Sequence, residues 1–233
     1  FGGSSLADPQ RMGEAVDRII ESRKTGPAVV VASAIGGATD ALHTIAGYAA
    51  AGERDAALAE IDRLLRRHQE LLLALDPDDR DDTRASLIAL STELEELVRG
   101  VVLLGELTPR TRDRMVPLGE KLSVRILAAA LRRREVAAVA LDADTFLETD
   151  EQFGRANPLG PVADRTITAA LGPMLEADQV PVVTGYCGRA PDGATTTLGR
   201  GGSDLTATLL AAALSATEVV LWSDVDGVFS ANP

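Results

Sequence analysis

The sequence has few of the residues on which several classes of protein depend. It holds one cysteine, Cys187, in 233 residues, which excludes an internal disulfide framework and favours a reducing compartment. No apolar run approaches the length of a membrane span, and no signal-peptide pattern opens the sequence. We therefore expect a cytoplasmic protein without a membrane partner.

Positive charge is also scarce. The 23 lysines and arginines are outnumbered by 35 acidic residues, giving a net charge of -12, and such a field disfavours nucleic acid as a partner. Neither of the two lysines, Lys24 and Lys121, lies in a Gly-Lys-Ser or Gly-Lys-Thr context, which excludes a P-loop. The stretch "GRGGSD" has Asp204 where a dinucleotide fingerprint needs its third glycine, so a Rossmann dehydrogenase is disfavoured too.

The remaining composition, 45% hydrophobic and 25% charged, is typical of a globular protein with a substantial core. Helical and strand patterns alternate along it. Asp8 and Pro9 predict the start of a helix that stops at Gly26-Pro27, and the apolar run "AVVVASAI" then predicts a buried strand. The same unit recurs with helices near 112–133 and 164–177 before "EVAAVALDAD" and "QVPVVTGY", and "TEVVLWSD" predicts a fourth strand. The pattern predicts an α/β fold with a parallel sheet.

Two segments depart from that alternation. Residues 55–104 carry two leucine-rich helical patterns separated by Asp76-Pro77-Asp78-Asp79, which predicts a helical hairpin inserted beside the sheet. Pro191-Asp192-Gly193 predicts the turn of a β-hairpin. That hairpin leads directly to the stretch "TTTLGRGGSDLTA".

The glycines of this stretch have two interpretations. Gly201-Gly202-Ser203-Asp204 stands where a helix begins, and the free N–H groups and positive dipole end of a helix start favour anions. Glycine also lets a phosphate approach the backbone closely. The same four residues are good capping chemistry for an ordinary helix, so the residues alone leave both interpretations open.

Four segments together resemble the catalytic domain of the aspartate kinases, members of the amino acid kinase family. They are "FGGSSLAD", "VVVASAIGGATDAL", "TPRTRDRMVPLGEKLSVRILAAAL", and "VPVVTGYCGRAPDGATTTLGRGGSDLTATLLAAAL" continued to "VVLWSDVDGVFSANP". The resemblance implies a three-layer α/β/α sandwich around a mostly parallel sheet. It also implies an amino-acid-binding lobe over about 1–178, including the helical insertion 55–104, and the start of a nucleotide-binding lobe over about 179–233.

The implied reaction is ATP-dependent phosphorylation of the β-carboxylate of L-aspartate to 4-phospho-L-aspartate, the first step of lysine, threonine and methionine biosynthesis. ATP and Mg²⁺ are the implied cofactors, L-aspartate and MgATP the implied partners, and the full-length protein is expected to be a homo-oligomer. A carboxylate nucleophile is already ionised at neutral pH and needs no catalytic base. Positioning and charge neutralisation must then supply the catalysis.

The resemblance also implies roles for individual residues. Asp204 is the catalytic candidate because the matching aspartate organises the cations around the transferring phosphoryl group. Candidates for binding the substrate are Glu120, which would hold the α-ammonium group, Arg200, which would hold a carboxylate, and Ser33, Thr39 and Ser203. Candidates for binding the nucleotide are Gly2, Gly3, Ser4, Gly201, Gly202, Ser223, Asp224 and Phe229. No protein residue is assigned as a resident metal ligand.

Several of these residues also have plainer interpretations. Glu120 could form a surface ion pair with Arg125 or Arg114. Ser33 and Thr39 precede "DALHTIAGYAA" and could cap that helix. Asp224 lies in a sequence that would suit an ordinary turn.

The sequence departs from the family pattern at its ends. A family lysine precedes the glycine turn, whereas this sequence begins at Phe1, and the family continues beyond Pro233 with further nucleotide-binding and usually regulatory segments. We therefore expect a catalytic domain truncated at both ends, with little activity as given. The open alternatives are another amino acid kinase, acting on glutamate, carbamate or a nucleotide, and a non-catalytic module that binds nucleotide or an effector.

Overall fold

The computed structural model describes residues 1–78 and 82–222. Its central sheet has three parallel strands in the order β1 (Val30–Ala32), β3 (Val180–Thr184) and β2 (Ala138–Leu141). An antiparallel hairpin of β4 (Cys187–Arg189) and β5 (Thr195–Thr197) follows β3 directly. The α/β class with a parallel sheet and the hairpin around Pro191-Asp192-Gly193 are therefore confirmed.

The described residues form eight α-helices, and the order along the chain is mostly helix between strands. They are α1 (Pro9–Arg23), α2 (Ala38–Ala50), α3 (Arg54–Leu75), α4 (Thr83–Leu104), α5 (Pro109–Met115), α6 (Leu118–Arg133), α7 (Gly160–Glu176) and α8 (Gly202–Ala213). The first helix begins as its sequence predicts, because the Asp8 carboxylate accepts a hydrogen bond from the N–H of Arg11 at 2.9 Å and Pro9 occupies the first turn.

The sheet is covered on both faces. Every residue of β3 is buried; Val182 belongs to the core formed with α1, α2 and α6, and the adjacent Val183 belongs to a second core formed with α7 and α8. Because successive side chains of a strand point to opposite faces, helices must lie on both sides of the sheet. This is the three-layer α/β/α arrangement that the sequence resemblance implies.

The first residue of the chain extends the sheet beyond β1. The Phe1 nitrogen donates a hydrogen bond to the Val31 carbonyl at 2.8 Å, and the Ser33 N–H donates to the Phe1 carbonyl at 3.1 Å. The glycine turn after Phe1 is thereby placed beside the loop after β1, where the Gly36 N–H donates to the Gly3 carbonyl at 2.9 Å. Two of the glycine-containing segments named above therefore pack directly against each other.

Helices α3 and α4 lie where the leucine patterns predict helices. They pack on each other and on α2 and α6, and their buried leucines, including Leu64, Leu72, Leu87 and Leu94, belong to the same core as one face of the sheet. The prediction that they stand beside the sheet needs correction, since they form an outer layer over α2 and α6. This packing explains why two helices without strands between them are stable here.

The single helix predicted near 112–133 is two helices. α5 ends at Met115 and α6 begins at Leu118. Pro117 lies between them, and a proline has no N–H to continue the helical hydrogen bonds and clashes with the preceding turn. The chain changes direction at this break, and α6 therefore begins in contact with the loop after β1.

The predicted fourth strand, "TEVVLWSD", is not a strand in its described part, residues 217–222. The apolar side chains from Val219 to Trp222 are between 38% and 52% exposed. One backbone hydrogen bond, from the Gly2 N–H to the Trp222 carbonyl at 3.3 Å, attaches this segment to the rest of the described chain. The apolar pattern that predicted a strand is therefore not matched by a ladder or by burial.

The predicted division into two lobes at residue 178/179 falls just before β3, and it stays a prediction. β3 lies between β1 and β2 in one sheet, so the boundary would pass through the centre of the molecule.

Over residues 1–78 and 82–222, none of the helices is both long enough and apolar enough to cross a membrane.

Candidate functional site

A cavity of about 580 Å³ lies at the carboxyl ends of β1 and β3, the edge of an α/β sheet where ligands commonly bind. Nine of the residues proposed from the sequence line it together, and six of them are the catalytic and substrate-binding candidates Ser33, Thr39, Glu120, Arg200, Ser203 and Asp204. Gly2, Gly201 and Gly202 line it as well. Sequence segments far apart along the chain thus converge on one site, although their roles stay predictions at this point.

Ser33 and Ser203, from two distant parts of the sequence, are in direct contact in this cavity. The Ser33 hydroxyl donates a hydrogen bond to the Ser203 hydroxyl at 2.8 Å. Gly185, the residue after β3, lies behind them, and a Cβ atom on it would be 2.4 Å from the Ser203 Oγ and 2.9 Å from the Ser203 Cα. Only a glycine at residue 185 lets the start of α8 approach the ends of the strands this closely.

The glycine-rich loop enters α8 through left-handed backbone. Gly199 and Gly201 both have φ of +76°, a conformation that residues with a Cβ rarely adopt. A Cβ on the next residue, Gly202, would lie 2.9 Å from the Tyr186 ring and 3.0 Å from its Cα. The loop therefore needs glycine both for its conformation and for its close packing.

No side-chain cap is present at the start of α8. The N-cap of α8 is Gly201, which has no side chain and makes no capping bond, so neither Ser203 nor Asp204 caps the helix. Asp204 is exposed and lines the cavity with the rest of the first helical turn. The positive end of the helix dipole therefore faces a cavity that also contains a carboxylate.

Glu120 is a buried carboxyl group at the start of α6, 3% exposed. It can lie this deep because Gly119 packs against Ala34 and Leu42; a Cβ on Gly119 would be 2.9 and 3.0 Å from their side chains. Burial raises the pKa of Glu120 to about 8, an effect that the N–H groups of Glu120 and Ala34 partly offset. Its Oε2 atom has no hydrogen-bond partner among the described residues, so it is available to a cationic ligand.

Three plainer interpretations from the sequence are wrong as well. Arg125 pairs with Asp142 at 2.8 Å and Arg114 pairs with Glu93 at 3.0 Å, so neither arginine neutralises Glu120. Helix α2 starts at the left-handed Gly37, with φ of +82° and no side-chain cap. Ser33 and Thr39 are therefore not helix caps.

The proposed nucleotide-binding residues have four different placements. Gly2, Gly201 and Gly202 line the cavity. Gly3 does not line it, and its backbone is packed so tightly that a Cβ would lie 2.7 Å from the Ala34 carbonyl oxygen. Ser4 lines a separate hollow of about 270 Å³, beside the stacked Phe1 and Trp222 rings. Three residues, Ser223, Asp224 and Phe229, lie outside the described residues.

Sequence reasoning missed Tyr186, which lines the cavity between β3 and β4. Its φ is +71°, and non-glycine residues with such backbone strain cluster at functional sites. The signal was present in "TGYCG", where a buried strand passes within two residues into a hairpin. The bulky residue at that turn had to lie at the carboxyl end of the strand.

No group of three or more histidine, cysteine, aspartate or glutamate side chains that could hold a metal ion is found in residues 1–78 and 82–222. The cavity nevertheless carries the exposed carboxylate of Asp204 at the helix start. One or two protein carboxylates, completed by substrate phosphates and water, are a usual way to hold Mg²⁺. The residues present therefore fit a magnesium ion that arrives with a nucleotide.

Comparison with known proteins agrees with the resemblance seen in the sequence. The profile of the amino acid kinase family matches residues 1–233. The chain belongs to the amino acid kinase family. Within this family, aspartokinase 1, chloroplastic, of Arabidopsis thaliana is 38% identical over 243 residues, which cover 100% of this chain and 41% of the relative.

Solved structures of family members show the same fold. Escherichia coli aspartokinase III in complex with lysine and aspartate, in the T-state, superposes with a TM-score of 0.86 at 31% identity, covering 98% of this chain and 49% of that chain. The R-state complex of the same enzyme with aspartate and ADP gives 0.82 at 32% identity, covering 97% and 48%. The chain thus spans less than half the length of these relatives.

Proposed function

We propose that this chain catalyses ATP-dependent phosphorylation of the β-carboxylate of L-aspartate. The observation that carries the proposal is the composition of one cavity, which holds both Glu120 and Arg200 beside the glycine-rich start of α8. Glu120 is buried, and its Oε2 atom has no hydrogen-bond partner among the described residues. An amino acid presents an ammonium group and a carboxylate, and a nucleotide presents phosphates. The cavity offers one complementary feature for each of them. The relatives with the same fold were solved with aspartate and with aspartate and ADP.

The amino acid would bind between two opposite charges. Glu120, once ionised, would accept hydrogen bonds from the α-ammonium group, and the planar guanidinium of Arg200 would donate two parallel bonds to the α-carboxylate. Hydroxyl groups of Ser33, Thr39 and Ser203 line the same space and can donate to or accept from the substrate. The β-carboxylate is then left free to face the phosphate side.

The phosphates would bind at the start of α8. Gly201 and Gly202 give them access to the backbone, and the helix dipole favours their charge. Gly2 lines the same cavity, while Gly3 would contribute through packing. Asp204 would hold Mg²⁺, which when bound neutralises charge on the phosphates. Ser4, Ser223, Asp224 and Phe229 remain proposed nucleotide contacts by resemblance.

The reaction needs no proton transfer to start. A β-carboxylate oxygen would form a bond to the γ-phosphorus of ATP while the bond from that phosphorus to the β,γ-bridging oxygen breaks and ADP leaves with the electron pair. The nucleophile is ionised at neutral pH, so the protein's task is to align the two groups and to balance the charge. This explains why a site without histidine can serve.

The test is a turnover assay on the protein as its gene encodes it. Aspartyl phosphate is trapped with hydroxylamine at saturating MgATP, and aspartate, glutamate and carbamate are compared. We expect turnover with aspartate, and we expect Arg200→Ala to raise the aspartate KM about 30-fold, since losing hydrogen bonds between a charged side chain and a charged ligand costs on the order of 2 kcal/mol.

Arg165→Ala is the matched control. Arg165 is an exposed arginine on α7, away from the residues that line the cavity, and its loss should leave the kinetics unchanged. Preferred turnover of another acid would assign a different amino acid kinase. Binding of ATP and aspartate without product would assign a non-catalytic module.

A further inference from the structure

Asp113 is a buried carboxylate on α5 that the proposed function does not use. It is 2% exposed. Its Oδ2 accepts hydrogen bonds from the N–H of Gly154 at 2.7 Å and from the N–H of Thr197 at 2.8 Å, and its Oδ1 accepts from the Thr197 hydroxyl at 2.9 Å. One side chain therefore joins α5 to two other segments of the chain.

The first of these segments leads to the glycine-rich loop. Thr197 is the last residue of β5, two residues before Gly199 and three before Arg200. The next residue, Leu198, donates a hydrogen bond from its N–H to the Tyr186 carbonyl at 2.8 Å. The residue that Asp113 holds is thus connected both to the loop that carries Arg200 and to the tyrosine in the cavity wall.

The second segment, residues 154–156, packs against the same glycine-rich loop. The Ala156 N–H donates to the Thr197 carbonyl at 2.8 Å. A Cβ on Gly199 would lie 3.4 Å from the Gly154 carbonyl oxygen and 3.9 Å from Arg155, so the two backbones are in contact. Asp113 binds this segment by accepting the hydrogen bond from the Gly154 N–H.

Asp113 also belongs to the segment that carries Glu120. Six residues lie between the two, and three of them, Met115, Val116 and Leu118, are each at most 1% exposed. The segment is therefore packed along its length and has little freedom to shift. The hydrogen bonds of Asp113 therefore link the segment that carries Glu120 to the loop that carries Arg200.

We propose that Asp113 is a positioning residue that fixes the separation between Glu120 and Arg200, the two groups that would bracket the amino acid. This inference rests on the proposed function for its effect on the substrate. All three groups that contact Asp113 donate, so the residue must supply acceptors. Alanine supplies none, whereas asparagine keeps one carbonyl oxygen for the two N–H groups and can donate to the Thr197 oxygen.

The experiment compares the kinetics of Asp113→Ala and Asp113→Asn in the protein as its gene encodes it. We expect Asp113→Ala to raise the aspartate KM at least about tenfold, which corresponds to losing roughly one charge-assisted hydrogen bond. The ATP KM should change less than about twofold, because the start of α8, which would bind the phosphates, is also held by the hydrogen bond between Ser33 and Ser203. Asp113→Asn should restore most of the aspartate affinity.

Asp192→Ala is the matched control. Asp192 also links the hairpin to α5, through an ion pair with Arg110, but it does so at the exposed turn. We expect wild-type KM values for this variant. An unchanged aspartate KM in Asp113→Ala, an equal rise of both KM values, or no recovery in Asp113→Asn would overturn the proposal.

Two further measurements keep the test decisive. Where Asp113→Ala does not fold, Thr197→Val removes only the hydroxyl bond, and we expect a smaller rise of about threefold in the aspartate KM; an unchanged value would overturn the proposal. Amide hydrogen exchange at residues 197–200 needs no turnover. Exchange there should be at least about tenfold faster in Asp113→Ala than in Asp192→Ala. Equal exchange rates would show that Asp113 does not hold this loop. Absence of turnover in the wild-type protein would instead reject the proposed function, so the two failures are distinguishable.

Discussion

Ser33 and Ser203 are 170 residues apart in the sequence, yet their hydroxyl oxygens lie 2.8 Å apart across the base of the cavity. This contact joins the carboxyl end of β1 to the first turn of α8. It exists because Gly185, at the end of β3, leaves no side chain between the two segments. The geometry of the site thus depends on a glycine that takes no part in the chemistry.

The first prediction is that Gly185→Ala abolishes the site. The new methyl group would lie 2.4 Å from the Ser203 Oγ and 2.9 Å from its Cα, so α8 itself must move. Overpacking of this kind costs about 1–3 kcal/mol, and we expect both the free energy of unfolding and the aspartate turnover to fall. Thermal unfolding and the hydroxylamine assay measure the two effects.

Gly47→Ala is the control for the glycine substitution. Gly47 is exposed inside α2, and a Cβ there meets no atom within 4 Å. Replacing a glycine inside a helix by alanine stabilises by about 0.5–1 kcal/mol, with no effect expected on turnover. Wild-type activity in Gly185→Ala would show that α8 tolerates displacement and that the contact is dispensable.

The second prediction concerns Asp204. Asparagine keeps the shape of the side chain and loses its charge, and Asp204 forms no cap whose loss would unfold α8. We expect Asp204→Asn to fold normally and to lower kcat by at least about a hundredfold, because the carboxylate would order cation charge around the phosphates. Asp164→Asn, on the exposed face of α7, should keep the wild-type kcat. An Asp204→Asn enzyme with full kcat would contradict the catalytic role.

Local chemistry explains which parts of the fold could be read from the sequence. Asp8 followed by Pro9 predicts a helix start, and Pro191-Asp192-Gly193 predicts a hairpin turn, because each signal acts through neighbouring backbone groups. Both features are observed. The glycine-rich segments were likewise recognisable, because the need for a bare backbone is itself local.

Features that depend on distant partners were not predictable in this way. "TEVVLWSD" has the composition of a strand, but a strand exists only with a ladder partner. Among the residues that the structure describes, residues 217–222 have one backbone hydrogen bond to the rest of the chain, from the Gly2 N–H. Asp113 carries no local signal, since its three donors come from residues 154 and 197. The burial of Glu120 depends on Ala34 and Leu42 packing against the glycine before it.

The third prediction is that aspartate binding releases a proton. In the free protein the pKa of Glu120 is raised to about 8 by burial, so the carboxyl group is mostly protonated at pH 7, and pairing with an ammonium group requires its ionised form. We expect the aspartate affinity to rise as pH increases from 6 to 8 and then to level off. Calorimetry in buffers of different ionisation enthalpy should show close to one proton released at pH 7.

Glu120→Gln supplies the control for this linkage. A folded-state pKa above the unfolded value of 4.5 means that the contribution of Glu120 to stability is complete below pH 4.5 and is lost as pH rises through about 8. The glutamine variant should therefore gain stability relative to wild type across that range, while binding aspartate weakly and without proton release. Proton release that persists in Glu120→Gln would assign the titration to another group.

The fourth prediction concerns His68, which is fully buried on α3. Its Nδ1 lies 2.7 Å from the Leu64 carbonyl oxygen, which can only accept, so Nδ1 carries the proton. Nε2 has no partner among the described residues. Burial lowers the pKa of His68 to about 4. The hydrogen bond to the Leu64 carbonyl partly opposes this shift, and the nearby charge of Arg67 adds to it.

A lowered histidine pKa makes the native state sensitive to acid. The unfolded chain takes up this proton near pH 6.5 and the native state only near 4, so the stabilising contribution is present above 6.5 and is lost as pH falls through about 4. Its full size is about 3 kcal/mol, at roughly 1.4 kcal/mol per pKa unit. We expect His68→Leu to lose less free energy of unfolding between pH 6.5 and 4 in urea titrations, whereas His43→Gln, an exposed site on α2, keeps the wild-type slope. Equal slopes for wild type and His68→Leu would place the acid sensitivity on the carboxylates instead.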